Sequence, residues 1–323
     1  MPAPSRAAEQ ITVPVTVSLA SGEQATCDVQ VWHHAPVRRR RGPRRRLLLI
    51  HGFRGDHHGL QLIVDALPEQ EILVPDLPGF GSTPPLSAGD HDVEAYAGVV
   101  DSLAQELGLG DQDVLVGHSF GSIIVAAHAA HQHSRPDGRR WAGVALLNPI
   151  SDDIFTGTLL PGAAAVEAYY RVCAVLPEPW ALSLLRSRLI LGVTNLSLIV
   201  SRDPEIIDHV RQQHQQHFGG FSDRATLLQA YRSSTRTTVA QYAEGLTLPT
   251  LLVIGARDQL TTVRGQRRLA EQLPDGRTEV IRNVGHLLHY EKPVATARTV
   301  RRFLLDLSSL QGREVVDDDA HPR

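Results

Sequence analysis

Apolar positions along the chain follow two periods. Over residues 11–19 and 26–32 apolar side chains alternate with polar or small ones, on either side of Ser21-Gly22. A period of two sends successive side chains to opposite faces, so this stretch predicts an antiparallel hairpin with one face in solvent. The pattern then changes to short apolar runs, mostly without alternation, at 47–50, 72–74, 114–116, 144–147, 251–254 and 278–281. Such runs fit the parallel strands of a sheet covered on both faces.

Between the runs lie segments of helical spacing. Val93, Tyr96, Val100, Leu103 and Leu107 form one stripe, followed by Gly108 and Gly110 as stop signals. A last helix is expected over 293–310, with Pro293 in its first turn and Val294, Ala297, Val300, Phe303, Leu304 and Leu307 as its apolar stripe. Alternating strands and helices predict an α/β class with a mostly parallel central sheet and helices on both faces. The alternation fails between Pro149 and about Leu248, where the chain reads as helical and offers no parallel strand. The expected organisation is therefore a flexible N-terminus at 1–10, a core at 11–149 and 249–310, a helical cap insertion at 150–248, and a charged, aromatic-free disordered tail at 311–323. Ligands of open α/β sheets bind beyond the carboxyl ends of the strands, a crevice that an insertion following a strand would roof.

Composition narrows the function classes. The formal charge of −3 gives no global attraction to nucleic acid or to an anionic membrane. The arginine run at 38–46 has no interleaved aromatic residues for base stacking, and it reads as a solvated loop in a chain whose sole lysine is Lys292. Cys27 and Cys173 are too few for a disulfide framework or a metal cluster, which fits a reducing cytoplasm. The first ten residues lack the apolar core of a secretory signal. The most apolar stretch, 173–200, is broken by Pro177, Glu178, Pro179, Arg186 and Arg188, so cap helices are expected there and no stable membrane insertion.

Chemistry enters at Gly117-His118-Ser119-Phe120-Gly121. The run at 114–116 leads directly into it and an apolar helix at 123–130 leads out, which is the strand, elbow and helix context of a G-x-S-x-G nucleophile. The glycines are needed because strand and helix cross closely there. A serine hydroxyl is a weak nucleophile at neutral pH and requires a base, itself oriented by a third group. In this arrangement the acid and then the histidine follow along the chain. Asp258 follows the run at 251–254 within Gly255-Ala256-Arg257-Asp258, and His286 follows the run at 278–281 within Asn283-Val284-Gly285-His286. Adjacent parallel strands would bring these two loops together.

Sixteen histidines call for comparison with the rivals. His118 sits inside the elbow, pointing away from Ser119, and His289 falls on the first turn of a helix. His128, His131 and His133 have spacings that place only the first pair on one helix face; they are expected at the solvated surface, as are His209, His214 and His217. Asp152 and Asp153 rival Asp258 as the acid because they follow the run at 144–147. Donors for a developing oxyanion are expected from the backbone N–H of Phe120 and from that of Phe53, in the turn His51-Gly52-Phe53-Arg54-Gly55.

Together with Asp76-Leu77-Pro78-Gly79-Phe80-Gly81-Ser82, these segments resemble the α/β-hydrolase superfamily in its cap-bearing branch, over about residues 11–310. The resemblance implies an α/β-hydrolase fold and a structural role for the 76–82 loop. It also implies hydrolysis of an ester, thioester or related acyl bond in a small, largely apolar substrate, without a metal or organic cofactor. Members that open epoxides or displace halide carry aspartate where Ser119 stands. The menaquinone-pathway lyases resemble the chain near His51-Gly52-Phe53 but carry an arginine shortly after the elbow, where this sequence has Ser122-Ile123-Ile124-Val125. Carbon–carbon bond cleavage on the same triad and a non-catalytic ligand-binding role are the alternatives. Tyr169, Tyr170, Trp180, Phe218, Phe221 and Tyr231 of the cap are candidates for pocket walls or for core packing.

Overall fold

Alternation along the first two strands, apolar runs along the next five and a mixed last strand at the edge build a single eight-stranded sheet. The computed structural model describes residues 5–38, 45–135, 138, 141–153, 155 and 160–318. In chain order come β1 (Glu9–Ser18), β2 (Gln24–His34), β3 (Arg46–Ile50), α1 (Gln61–Asp65), β4 (Glu71–Pro75), α2 (Val93–Glu106), β5 (Val114–His118), α3 (Phe120–His133) and β6 (Gly143–Leu147). The elements described next are α4 (Leu160–Val175), α5 (Glu178–Leu185), α6 (Arg188–Leu198), α7 (Pro204–His217), α8 (Arg224–Arg236) and a 3-10 segment, Val239–Gly245. Then follow β7 (Thr250–Gly255), α9 (Val263–Gln272), β8 (Gly276–Ile281), α10 (Leu288–Glu291) and α11 (Pro293–Asp318).

The strand order is β1-β2-β4-β3-β5-β6-β7-β8. The hairpin closes at Gly22, whose φ of 85° is the left-handed conformation that glycine adopts without steric cost. β1 pairs antiparallel with β2, and β2 with β4, while every later pairing is parallel. Along the parallel strands successive residues divide between two cores. Leu48, Ile50, Leu115, Leu146, Leu252 and Ile254 pack with the residues of α2 and α3, whereas Leu47, Leu49, Val114, Val116, Leu251 and Val253 pack with Ile63 and Val64 of α1 and Phe303 and Leu304 of α11. Each such side chain, fully buried, contributes about 1.5–3 kcal/mol. The sheet is thus covered on both faces from β3 to β7, whereas β1 and β2 alternate buried and exposed positions and the edge strand β8 is half-exposed.

Several expectations are corrected at the ends. Residues 1–10 were expected to be flexible, yet β1 begins at Glu9 and Arg6 is tied down: its Nη2 donates to the carbonyls of His34 and Gln70 at 2.6 Å each. A guanidinium offers five donors, and here they satisfy carbonyls at the rim of the sheet. The last helix does not stop at Leu310 but runs to Asp318, because no proline interrupts 311–318 and one glycine is too weak a breaker in a helix already five turns long. In the arginine run, residues 39–44 lie outside those described. Arg45 and Arg46 are not part of a solvated loop: Arg45 is buried with Nη1 on the Gln112 carbonyl at 2.9 Å, and Arg46 pairs with Asp113 at 2.8 Å. No helix among the described residues is long and apolar enough to cross a membrane.

Candidate active site

The carboxyl ends of β3, β5, β7 and β8 lie along one edge of the sheet, and each carries a segment singled out above. Ser119 leaves β5 with φ 54° and ψ −118°, a conformation that costs roughly 1–3 kcal/mol in a residue with a side chain. The flanking glycines make the turn possible. A Cβ on Gly117 would lie 2.4 Å from the Gly121 carbonyl oxygen, and one on Gly121 would lie 2.3 Å from the Ile50 carbonyl oxygen. Both neighbours are backbone and cannot give way. The turn is held by the Ser119 N–H on the Leu147 carbonyl at 3.0 Å and by the Ser122 N–H on the Ser119 carbonyl at 2.9 Å.

Ser119 Oγ lies 2.8 Å from His286 Nε2. The other ring nitrogen, Nδ1, faces both oxygens of Asp258 at 3.0 and 3.1 Å. The carboxylate can only accept, so Nδ1 carries the proton and leaves Nε2 free to take the hydroxyl hydrogen. Asp258 and His286 are almost wholly buried, which strengthens their interaction relative to one in water. Oδ1 of Asp258 also accepts from the Leu260 N–H at 2.8 Å, and Gln259 Oε1 accepts from the His286 N–H at 3.0 Å. The structure therefore brings Ser119, His286 and Asp258 into one relay. It places Asp152 elsewhere, against Arg268 at 3.1 Å, and Asp153 on the Phe155 N–H at 2.8 Å.

One residue behind this relay was not singled out by the sequence. Asn148 follows β6 with φ 44°, fully buried. Its Nδ2 donates to the carbonyls of Gly285 and His286 at 2.8 and 2.9 Å, and its Oδ1 accepts from the Gly255 N–H at 2.6 Å. A single amide thus fastens the loop of Asp258 to the loop of His286. The signal in the sequence was slight, an asparagine at the end of an apolar run, where a left-handed residue tolerates that side chain better than most.

Two more histidines border His286. The His118 ring lies 5.4 Å from that of His286 and 4.0 Å from that of His289. Burial, with neighbouring histidine charge second, pushes His118 down to about 3 and His289 well below the usual histidine value. Both stay neutral at physiological pH, so neither opposes the positive charge that His286 acquires on taking a proton. His118 Nε2 donates to the His286 carbonyl at 3.3 Å.

Phe120 is the first residue of α3, so its N–H has no acceptor within the helix. The loop of Phe53 runs close beside it: a Cβ on Gly52 would lie 3.1 Å from Ser119 Cβ. His51 braces that loop, with Nδ1 donating to the Gly52 carbonyl at 2.9 Å and Nε2 accepting from the Leu77 N–H at 2.9 Å. Asp76 serves the same purpose, accepting from the His57 and Ser82 N–H groups at 2.7 and 2.8 Å. Arg54 ties the loop to the helical insertion. Its guanidinium donates to the Leu185 carbonyl at 2.6 Å and lies 3.9 Å from the centre of the Phe218 ring. Of the insertion's aromatics, Tyr170 and Tyr231 stack at 3.8 Å and each stands 6.0 Å from Phe53, whereas Trp180 points outward and is 72% exposed.

Two histidine expectations are corrected. His128 is not at the surface but buried, accepting from Trp141 Nε1 at 3.0 Å, since a helix packed between sheet and neighbours has little solvent-facing surface. His214 is not solvated either: it hydrogen-bonds Asn195, and burial pushes it down to about 4.

A family model described as alpha/beta hydrolase fold matches residues 45–293. The chain belongs to the α/β-hydrolase family. This α/β-hydrolase is 25% identical over 284 residues to human monoacylglycerol lipase ABHD6, covering 87% of this chain and 81% of that protein. It is 37% identical over 84 residues to Lipase 3 of Moraxella sp., a match to 26% of this chain and 27% of the lipase. Among solved structures, a thermophilic esterase from Thermogutta terrifontis shares the fold with a TM-score of 0.67 at 22% identity, covering 92% of this chain and 99% of the esterase.

Proposed function

We propose that this α/β-hydrolase cleaves an ester, thioester or related acyl bond of a small, largely apolar substrate through an acyl-enzyme on Ser119. The observation that carries the reading is the relay in which Ser119 Oγ stands 2.8 Å from His286 Nε2 and His286 Nδ1 stands 3.0 Å from Asp258. His286 takes the Ser119 proton as Oγ attacks the carbonyl carbon, and the oxyanion rests on the N–H groups of Phe53 and Phe120. Asp258 fixes the tautomer of His286 and stabilises its imidazolium. The protonated His286 then gives its proton to the leaving group. A water deprotonated by the same ring releases the acid. The lipase and esterase names of its relatives support an ester among these bonds.

The helices at 150–248 act as a cap in this reading, with Tyr170 and Tyr231 facing Phe53 as the wall that receives the apolar part of the substrate. The two buried free thiols, Cys27 and Cys173, fit a cytoplasmic setting. A panel of p-nitrophenyl esters of graded chain length tests the reading. The wild type turns over with a preference along the series, and Ser119→Ala loses about a million-fold in kcat. An unchanged rate in Ser119→Ala refutes it.

A specific feature supports a substrate presented at a lipid–water interface. Leu189, Val193 and Leu196 recur at helical spacing along one face of α6 and, like Trp180 on α5, are 61–83% exposed. We expect Trp180→Ser with Leu196→Ser to leave the rate on a soluble short-chain ester unchanged. On emulsified monoacylglycerol the rate falls at least about tenfold, since burying either side chain in lipid contributes about 1.5–3 kcal/mol. Equal rates on both substrates count against the interfacial reading.

A further inference from the structure

A second cluster of titratable side chains lies outside the relay, where the loop after β3 meets the end of α7. Asp56 is 5% exposed and accepts from the His58 N–H at 2.9 Å, yet the side chains facing its oxygens are imidazoles. His58 Nδ1 stands 3.2 Å from its Oδ1, and His217 Nδ1 stands 3.4 Å from its Oδ2. The His58 ring is 44% exposed, but its Nδ1 is turned inward, is itself buried, and makes no hydrogen bond. The rings of His58 and His217 stack at 3.7 Å, and His57 and Trp32 continue the pile at 3.8 and 3.4 Å.

We propose that Asp56, His58 and His217 form a site for a divalent transition-metal ion of the zinc class, which clamps the end of α7 to the loop that carries Phe53. One carboxylate and two imidazoles are the donor set such an ion prefers over magnesium or calcium. The distances fit as well. Bonds of about 2.0–2.2 Å place tetrahedral ligands about 3.4 Å apart. The three donor groups already lie within 4.8 Å of one another, so closing on an ion asks for shifts of about an ångström. The fourth position is left to water. Asp76 is not a ligand but a support: its Oδ1 accepts from both the N–H and Nδ1–H of His57, which holds the ring against which His58 packs at a tilt. The three residues come from two elements far apart in sequence, so the ion binds tightly only when α7 is seated. Neither this site nor its occupancy depends on the hydrolase reading.

Calorimetric titration of tag-free, chelator-stripped full chain with zinc tests the proposal, alongside thermal melts and circular dichroism with and without zinc. The wild type is expected to bind one zinc per chain and to melt at a higher temperature when it does, since an ion that binds the folded state alone stabilises it. Asp56→Asn and His217→Gln lower the affinity about 100-fold and abolish the rise, while the exposed-site control His131→Gln keeps both. His58→Asn, on a partly exposed ring, gives the same loss and replaces either variant should its dichroism show it unfolded. Equal zinc affinity in wild type, Asp56→Asn, His58→Asn and His217→Gln overturns the proposal, as does a wild type that binds no stoichiometric zinc.

Discussion

Replacing His286 by alanine is expected to lower kcat for ester hydrolysis by about a million-fold, with little change in KM. The size follows from the geometry. Ser119 Oγ has its base at 2.8 Å, and among the described residues the neighbouring imidazole of His118 cannot substitute, because it points to the His286 carbonyl and burial makes it a poor proton acceptor. Without Nε2 the hydroxyl keeps its proton, and the oxyanion donors and substrate binding alone remain. Asp258→Asn is expected to cost less, about 10,000-fold, because it leaves the ring in place but favours the wrong tautomer. Single-turnover kinetics on a p-nitrophenyl ester measure both. A His286→Ala variant that keeps even a hundredth of the wild-type rate contradicts the assignment.

Stability is expected to fall steeply as the solution is acidified from pH 7 to pH 5. His118, His289 and His214 are all pushed below the ordinary histidine value by burial, His118 to about 3 and His214 to about 4. In the unfolded chain each takes up a proton below about 6.5, while in the folded protein each stays neutral through this window. The unfolded state therefore binds more protons, and stability rises with pH. Each histidine costs about 2 kcal/mol between pH 7 and pH 5, and the three together form a large share of a typical domain's stability. His58 pulls the other way, since the Asp56 carboxylate more than compensates for its burial, but it is one group against these three and against His34, His51 and His91, which burial also lowers. Urea unfolding at pH 7, 6 and 5 reads the slope, and His289→Gln should remove about 2 kcal/mol of the change. A midpoint that does not move over this range contradicts the burial of these rings as neutral species.

What the sequence revealed and what it hid divide along physical lines. Strands were legible because a sheet buried on both faces demands uninterrupted apolar residues, so the runs containing Leu48, Val116 and Val253 could hardly be anything else. Ser119 was legible because its turn needs Gly117 and Gly121, whose missing side chains leave a mark in the sequence. Asn148 and Arg54 were not, since each acts by reaching backbone groups more than 100 positions away, and a carbonyl has no sequence signature. The same holds for His217, whose partner Asp56 lies in another element. His128 was misplaced because a polar side chain on an apolar helix reads as surface unless its acceptor role toward Trp141 is known.

Labelling with a fluorophosphonate, followed by mass mapping of the peptide that carries the adduct, tests whether Ser119 is the activated nucleophile. The reagent reacts only with a serine whose hydroxyl is activated by a base. One adduct per chain on the Ser119 peptide, with labelling lost in His286→Ala, is the expected result. A folded wild type that takes no label, or one labelled at another serine while Ser119→Ala keeps its esterase rate, contradicts it.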